Sequence, residues 1–116
     1  IGRCNVGQAV RTPGFRLPAK WVIHTVGPVW NGGTKGEPEA LESAYEQSFA
    51  RAREEPAIRS IAFPSISTGA YRFPIDRAAD IALKVMRRHE RDFERIVACL
   101  FSEADLETYR LALGRT

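Results

Sequence analysis

Three consecutive residues, Ser67, Thr68 and Gly69, are the strongest candidates in this 116-residue chain for holding an anion. They lie in the run SIAFPSISTGAYRFP, Ser60 to Pro74, where a short apolar segment gives way to small hydroxyl and glycine residues and then to an amphipathic segment. Free backbone N–H groups at a helix N-terminus, with the positive end of the helix dipole behind them, favour phosphate. Small side chains let phosphate reach the backbone, the two hydroxyls add donors, and Gly69 is the residue expected to take positive φ. An ordinary strand-to-helix connection rich in turn formers would have the same composition. Tyr71 and Phe73 follow at once, and they either wall a pocket against a sugar or base or tuck onto the sheet.

The remaining titratable residues offer little chemistry. His24 has apolar neighbours, Trp21, Val22, Ile23 and Val26, and is expected to be a satisfied core histidine, with no Ser or Cys nucleophile and matching acid beside it. His89 falls among basic residues near a helix C-terminus, where contact with solvent and the helix dipole is expected. Asp76, Asp80 and Asp105 fall in helical turns and read as cap or surface residues, and no carboxylate pair is spaced for glycoside or metal chemistry. Phe101 ends an apolar run, which suits a core residue and a base-stacking residue equally well. Cys4 and Cys99 are far apart, in no CxxC or Cys/His spacing, and are expected to be free thiols.

The elements that must position these residues follow from periodicity. Ala9 to Thr12 reads as a strand turning at Pro13-Gly14, and Lys20 to Val26 as a β-branched, nearly continuous apolar strand buried on both faces. A glycine-rich loop over Asn31 to Gly36 precedes a helix from about Glu37 to Glu55, whose stripe is Leu41, Ala44, Tyr45, Phe49 and Ala52 and which Pro56 stops. Ser60 to Pro64 is a third strand. Pro74 suits the first position of a helix reaching about His89, with Ile75, Ala78, Ala79, Ala82, Leu83 and Met86 on its apolar face. Arg95 to Phe101 reads as a fourth buried strand. Ser102 caps a last helix with stripe Leu106, Tyr109 and Leu113, ended by Gly114. The order β-β-α-β-α-β-α predicts an α/β layered domain with a largely parallel sheet, and ligands bind beyond the carboxyl ends of such strands.

Composition closes off other classes. Apolar residues make up 44% and charged residues 27%, ordinary for a globular domain. No apolar stretch approaches the roughly 20 residues that span a bilayer, and the first residues lack the order of a signal peptide, so a soluble, cytoplasmic protein without membrane contact is expected. Net charge is +3, which helps attract a phosphate-bearing ligand. The arginines are dispersed and not interleaved with aromatics, which argues against a nucleic-acid partner.

Four segments together resemble a known family: CNVGQAV (Cys4 to Val10), LPAKWVIHTVGPVW (Leu17 to Trp30), SIAFPSISTGAYRFP (Ser60 to Pro74) and CLFSEADLETY (Cys99 to Tyr109). They look like a macrodomain, most like the bacterial O-acetyl-ADP-ribose deacetylase and mono-ADP-ribosyl hydrolase branch, and HTVGPVW followed by ISTGAY is the most specific part. The resemblance implies a three-layer α/β/α fold that binds ADP-ribose without a cofactor or metal. It implies a diphosphate loop at Ser67, Thr68, Gly69, Ala70 and Tyr71, an aromatic near the distal ribose at Phe73, and one near the adenosine end at Phe101. ADP-ribose, O-acetyl-ADP-ribose and ADP-ribosylated proteins are the implied partners. Arg72 stands where that branch often has glycine.

The family's opening strands with an adenine-reading Asp, its Asn-Ala-Ala-Asn stretch and its Gly-rich loop with a Val-Asp are not found in these residues. Residues 1–116 are therefore expected to be the C-terminal two-thirds of a macrodomain. Such a segment carries half of a ligand cleft and no assignable general acid or base.

Overall fold

A computed structural model describes residues 4–16 and 18–116; Ile1, Gly2, Arg3 and Leu17, the first residue of one quoted motif, lie outside the described residues. The chain runs β1 (Ala9–Pro13), β2 (Trp21–Thr25), α1 (Glu37–Arg53), β3 (Ser60–Phe63), α2 (Ile75–Arg88), β4 (Arg95–Ala98) and α3 (Glu103–Arg115), in the expected order. β1 pairs antiparallel with β2, Ala9 opposite Thr25 and Pro13 opposite Trp21. β3 pairs parallel with β4, Ser60 opposite Arg95 and Phe63 opposite Ala98. The pairing is mixed, and among the described residues no ladder joins the two pairs.

The helices carry the core. On α1 the expected stripe is fully buried, with Leu41, Ala44, Tyr45, Phe49 and Ala52 all at zero exposure. Burying each large apolar side chain yields about 1.5–3 kcal/mol, which makes a helix of an otherwise highly charged segment. α1 lies against α2, and α2 against α3. Ala78, Ala79, Ala82, Leu83, Val85 and Met86 of α2 meet Phe63 of β3, Phe73, Phe93 and Tyr109 of α3 in one cluster.

Several expectations are corrected. β2 is only half-buried, paired on one side alone among the described residues, and His24 is exposed, its Nε2 2.9 Å from Thr12 Oγ1 across the β1–β2 pair. β4 is four residues long, Arg95–Ala98, and Cys99, whose N–H still donates to Phe63 O at 2.7 Å, is exposed just beyond it. On α3 the buried pair is Tyr109 and Ala112, while Leu106 and Leu113 flank it and remain exposed. Gly114 lies inside α3, which continues to Arg115. Pro74 is the cap of α2 with an extended backbone, one residue before the first helical position.

His89 is buried, not solvent-facing, and stacks on Phe49 with centroids 4.4 Å apart. Arg53 Nη1 donates to its Nδ1 at 2.6 Å. Arginine can only donate, so Nδ1 is the acceptor and Nε2 carries the hydrogen that is given to Glu46. Burial would raise the Glu46 carboxyl, but hydrogen bonds from His89 and Arg88 outweigh it and hold it below the usual range. This group joins the middle of α1 to the end of α2.

Candidate functional site

The loop between β3 and α2 is fastened at its base by two tyrosines. Tyr45 of α1 donates to Pro64 O at 3.3 Å and accepts from the Ile66 N–H at 3.3 Å. Tyr109 of α3 shares a hydrogen bond of 2.8 Å with Ser65 Oγ. Burial, reinforced by Tyr109, pushes the Tyr45 hydroxyl well above its ordinary range, so it serves as a neutral donor and acceptor. Both tyrosines were legible only as members of a helical stripe. A tyrosine where leucine or phenylalanine would fill the space signals a buried hydroxyl that needs a partner.

The loop closes on itself further along. Thr68 Oγ1 donates to Ser65 O at 3.0 Å, the Arg72 N–H to Gly69 O at 3.0 Å, and the Phe73 N–H to Ser67 O at 2.9 Å. Among the described residues the N–H groups of Ser67, Gly69, Ala70 and Tyr71 have no acceptor within the chain. Those of Gly69, Ala70 and Tyr71 are successive, while the Thr68 N–H donates to Ser65 O at 3.4 Å, and successive free donors in a short loop ahead of a helix favour an anion.

Positive φ falls elsewhere than expected. Gly69 is not in the left-handed region; Ser67 (φ 67) and Arg72 (φ 64) are. A Cβ built on Gly69 would meet nothing within 4 Å, so at this position glycine leaves space above the loop rather than permitting a turn. Ser67 turns its Oγ inward, where it is buried and without a partner. It lies against Gly27, whose own Cβ would come within 2.1 Å of that oxygen and 2.5 Å of Ile66 Cγ2. Gly27, just beyond β2, is therefore bare because the loop passes directly over it.

The candidate residues do not all converge. Ser67 and Tyr71 border the open cleft of about 1080 Å³ that separates the edges of β2 and β3, which no ladder joins among the described residues, together with Trp21, Thr25, Ile61 and Phe63. Thr68, Gly69 and Ala70 form the tip of the loop, with Gly69 and Ala70 exposed. Tyr71 is 42% exposed, free to wall the cleft, whereas Phe73 is 2% exposed and packs on Trp30 with ring centroids 4.8 Å apart. Phe101 is 98% exposed, which removes the core reading. It shares the carboxyl edge of the parallel pair but borders a separate shallow groove with Ala98, Leu100 and Leu106. Among the described residues no carboxylate lines the cleft, and Asp76, Asp80 and Asp105 serve local roles: Asp76 Oδ1 accepts from Arg77 N, Asp80 pairs with Arg115, and Asp105 N–H donates to Ser102 Oγ.

Glu37 is a further residue that sequence reasoning missed. Its carboxylate, 3% exposed, accepts from the N–H groups of Asn31 (2.6 Å), Gly33 (3.0 Å) and Lys35 (2.7 Å). Burial would raise it, but these bonds and its own N–H prevail and bring it down to about 2. It thereby orders the glycine-rich loop that follows Trp30.

The donor-rich loop thus stands at the carboxyl edge of the parallel strands of an α/β scaffold, the place where ligands bind in open sheets of this kind. Comparison with known proteins makes this specific: residues 1–82 match the Macro domain model, and the chain belongs to the Macro domain family. It is 51% identical over 96% of its length to a macro domain-containing protein of Ralstonia nicotianae, and 50% identical over 98% to one of Chlorobaculum tepidum. It covers 64% and 67% of those two proteins, about two thirds of their length. The Oceanobacillus iheyensis macrodomain solved with ADP superposes with a TM-score of 0.88 at 38% identity, over 96% of this chain and 59% of that one. A mutant of the same macrodomain has been solved with ADPR, at a TM-score of 0.86.

Proposed function

We propose that this chain recognises ADP-ribose, with Ser67, Thr68, Gly69, Ala70 and Tyr71 as the loop that takes the diphosphate. The observation that carries this reading is the set of unpartnered N–H groups at Ser67, Gly69, Ala70 and Tyr71, ahead of α2. Family membership and the ADP and ADPR found with the Oceanobacillus relative support it. Tyr71 is the aromatic wall of the cleft. Phe73 serves the distal-ribose side from behind, as packing, and Phe101 offers an exposed ring for the adenosine end.

The finer activity belongs to a complete macrodomain of which residues 1–116 form the C-terminal two-thirds. In such a protein, water attacks an ester of ADP-ribose held by the loop, either O-acetyl-ADP-ribose or a mono-ADP-ribosylated protein. A second reading, a non-catalytic reader of ADP-ribose, shares every loop residue named above with the first. The work belongs to the cytoplasm, in keeping with two free cysteines. Among the described residues no helix is long and apolar enough to cross a membrane.

Calorimetric titration with ADP-ribose tests recognition. Binding is expected, and Gly69→Glu is expected to abolish it while the fold survives, since the new side chain enters open space. No heat at millimolar ADP-ribose would sink the proposal. Acetate release from O-acetyl-ADP-ribose separates hydrolase from reader, with none expected from these residues alone.

A further inference from the structure

We propose that Trp30 is the positioning residue of the anion loop, holding it in its binding shape from behind without lining the cleft. The ligand in question is that of the ADP-ribose reading above. The segment leaving β2 grips the loop at two places. At the near end Gly27 lies against Ile66 and Ser67. At the far end the Trp30 backbone N–H donates to Tyr71 O at 2.8 Å, a bond any side chain at this position keeps, and the Trp30 ring packs on Phe73, tilted by 58°. Between these grips lie Thr68, Gly69 and Ala70; Gly69 and Ala70 carry two of the free N–H groups, and the gripped residues Ser67 and Tyr71 carry the other two.

The ring itself is held from further sides. The Arg77 guanidinium, in the first turn of α2, sits 5.0 Å from its centroid, a cation–π contact. Gly33, at φ 89, leaves the room the ring occupies, because a Cβ there would lie 2.6 Å from Trp30 Cη2. The Gly33 N–H is in turn fixed by Glu37. A continuous set of contacts thus runs from the start of α1, through the glycine-rich loop and Trp30, to Tyr71 and Phe73. Two loop residues, Ser67 and Arg72, are held at positive φ, where any residue with a Cβ is strained. Such a loop keeps its shape only where its surroundings over-determine it. Trp30 and Gly27 supply that constraint on the side away from the cleft.

The test compares Trp30→Ala and Trp30→Phe with Val85→Ala, which opens the α2 core away from the loop at a residue 1% exposed. Each variant is assayed for ADP-ribose affinity by calorimetry at a temperature where melting curves show it folded, and for amide exchange at Arg72 and Phe73. Trp30→Ala is expected to weaken ADP-ribose at least tenfold and to speed exchange at both amides. Trp30→Phe, which keeps an aromatic ring on Phe73, is expected to restore affinity to within threefold, and Val85→Ala to lower the melting temperature with affinity within twofold. A Trp30→Ala variant that binds like the parent, or loses no more than Val85→Ala, overturns the proposal. If the parent chain itself binds no ADP-ribose, the functional reading fails separately and exchange alone decides. Faster exchange at Arg72 and Phe73 in Trp30→Ala than in Val85→Ala supports the grip, and equal exchange overturns it.

Discussion

Replacing Arg72 by glycine should stabilise the protein, although it removes a charged side chain. Arg72 sits at φ 64, where the Cβ of any L-residue crowds the following carbonyl at a cost of about 1–2 kcal/mol. Glycine removes that cost but gives back about 0.5–1 kcal/mol through the freedom it adds to the unfolded chain. The side chain is exposed and makes no ion pair among the described residues, so its loss counts for no more than about 0.5 kcal/mol. The turn survives, because its bonds run from the backbone N–H of Arg72 to Gly69 O and of Phe73 to Ser67 O. The expected net gain is about 0.5 kcal/mol. With an unfolding entropy of roughly 2.1 cal/mol/K per residue, that is about 2 °C in Tm for a domain of this size. Calorimetric or circular-dichroism melts of Arg72→Gly and Arg72→Ala measure it. Alanine retains the Cβ and should show no gain. Equal melting temperatures for the two variants, or a lower one for Arg72→Gly, would refute the strain argument.

Three further outcomes follow from the same geometry. Gly27→Ala drives a methyl into Ser67 and Ile66, and urea titration should show a loss of about 1–3 kcal/mol, with weaker ADP-ribose binding; an unchanged midpoint would show that the loop does not rest on Gly27. Tyr45→Phe leaves the Ile66 N–H without its buried acceptor and should cost about 1–3 kcal/mol, read by the same titration. The Glu37 carboxyl is depressed on folding, so its contribution is complete above its ordinary value of 4.5 and is lost as pH falls towards about 2. Stability measured across that window should fall less steeply in Glu37→Gln than in the parent, and identical slopes would refute the role given to it.

What could be read in the sequence was whatever depends on local periodicity. The stripe Leu41, Ala44, Tyr45, Phe49, Ala52 has the spacing of one helical face, and burial of that face is the main stabilisation open to a helix with so many charges on its other side. The Ser102 cap is equally local, with Asp105 N–H bonded to Ser102 Oγ three residues back. The loop over Ser65 to Phe73 was legible as well, from small and hydroxyl residues between an apolar strand and an amphipathic helix, a composition that suits an ordinary connection as well as an anion site.

Tertiary structure decided whatever depends on which elements meet. His24 looked buried because its neighbours are apolar, yet β2 pairs only with β1 among the described residues, and the ring reaches Thr12 in the open. His89 looked exposed because its neighbours are basic, yet Phe49, Glu46 and Arg53 arrive from α1 to bury it. The positive φ anticipated for Gly69 went to Ser67 and Arg72, because loop closure through Ser67 O and Gly69 O sets the dihedrals rather than residue preference alone. Sequence by itself determined the order of elements, the family and the loop. The grip of Gly27 and Trp30 on that loop, and the cleft beside it, came only from packing, since nothing local links residue 30 to residues 71 and 73.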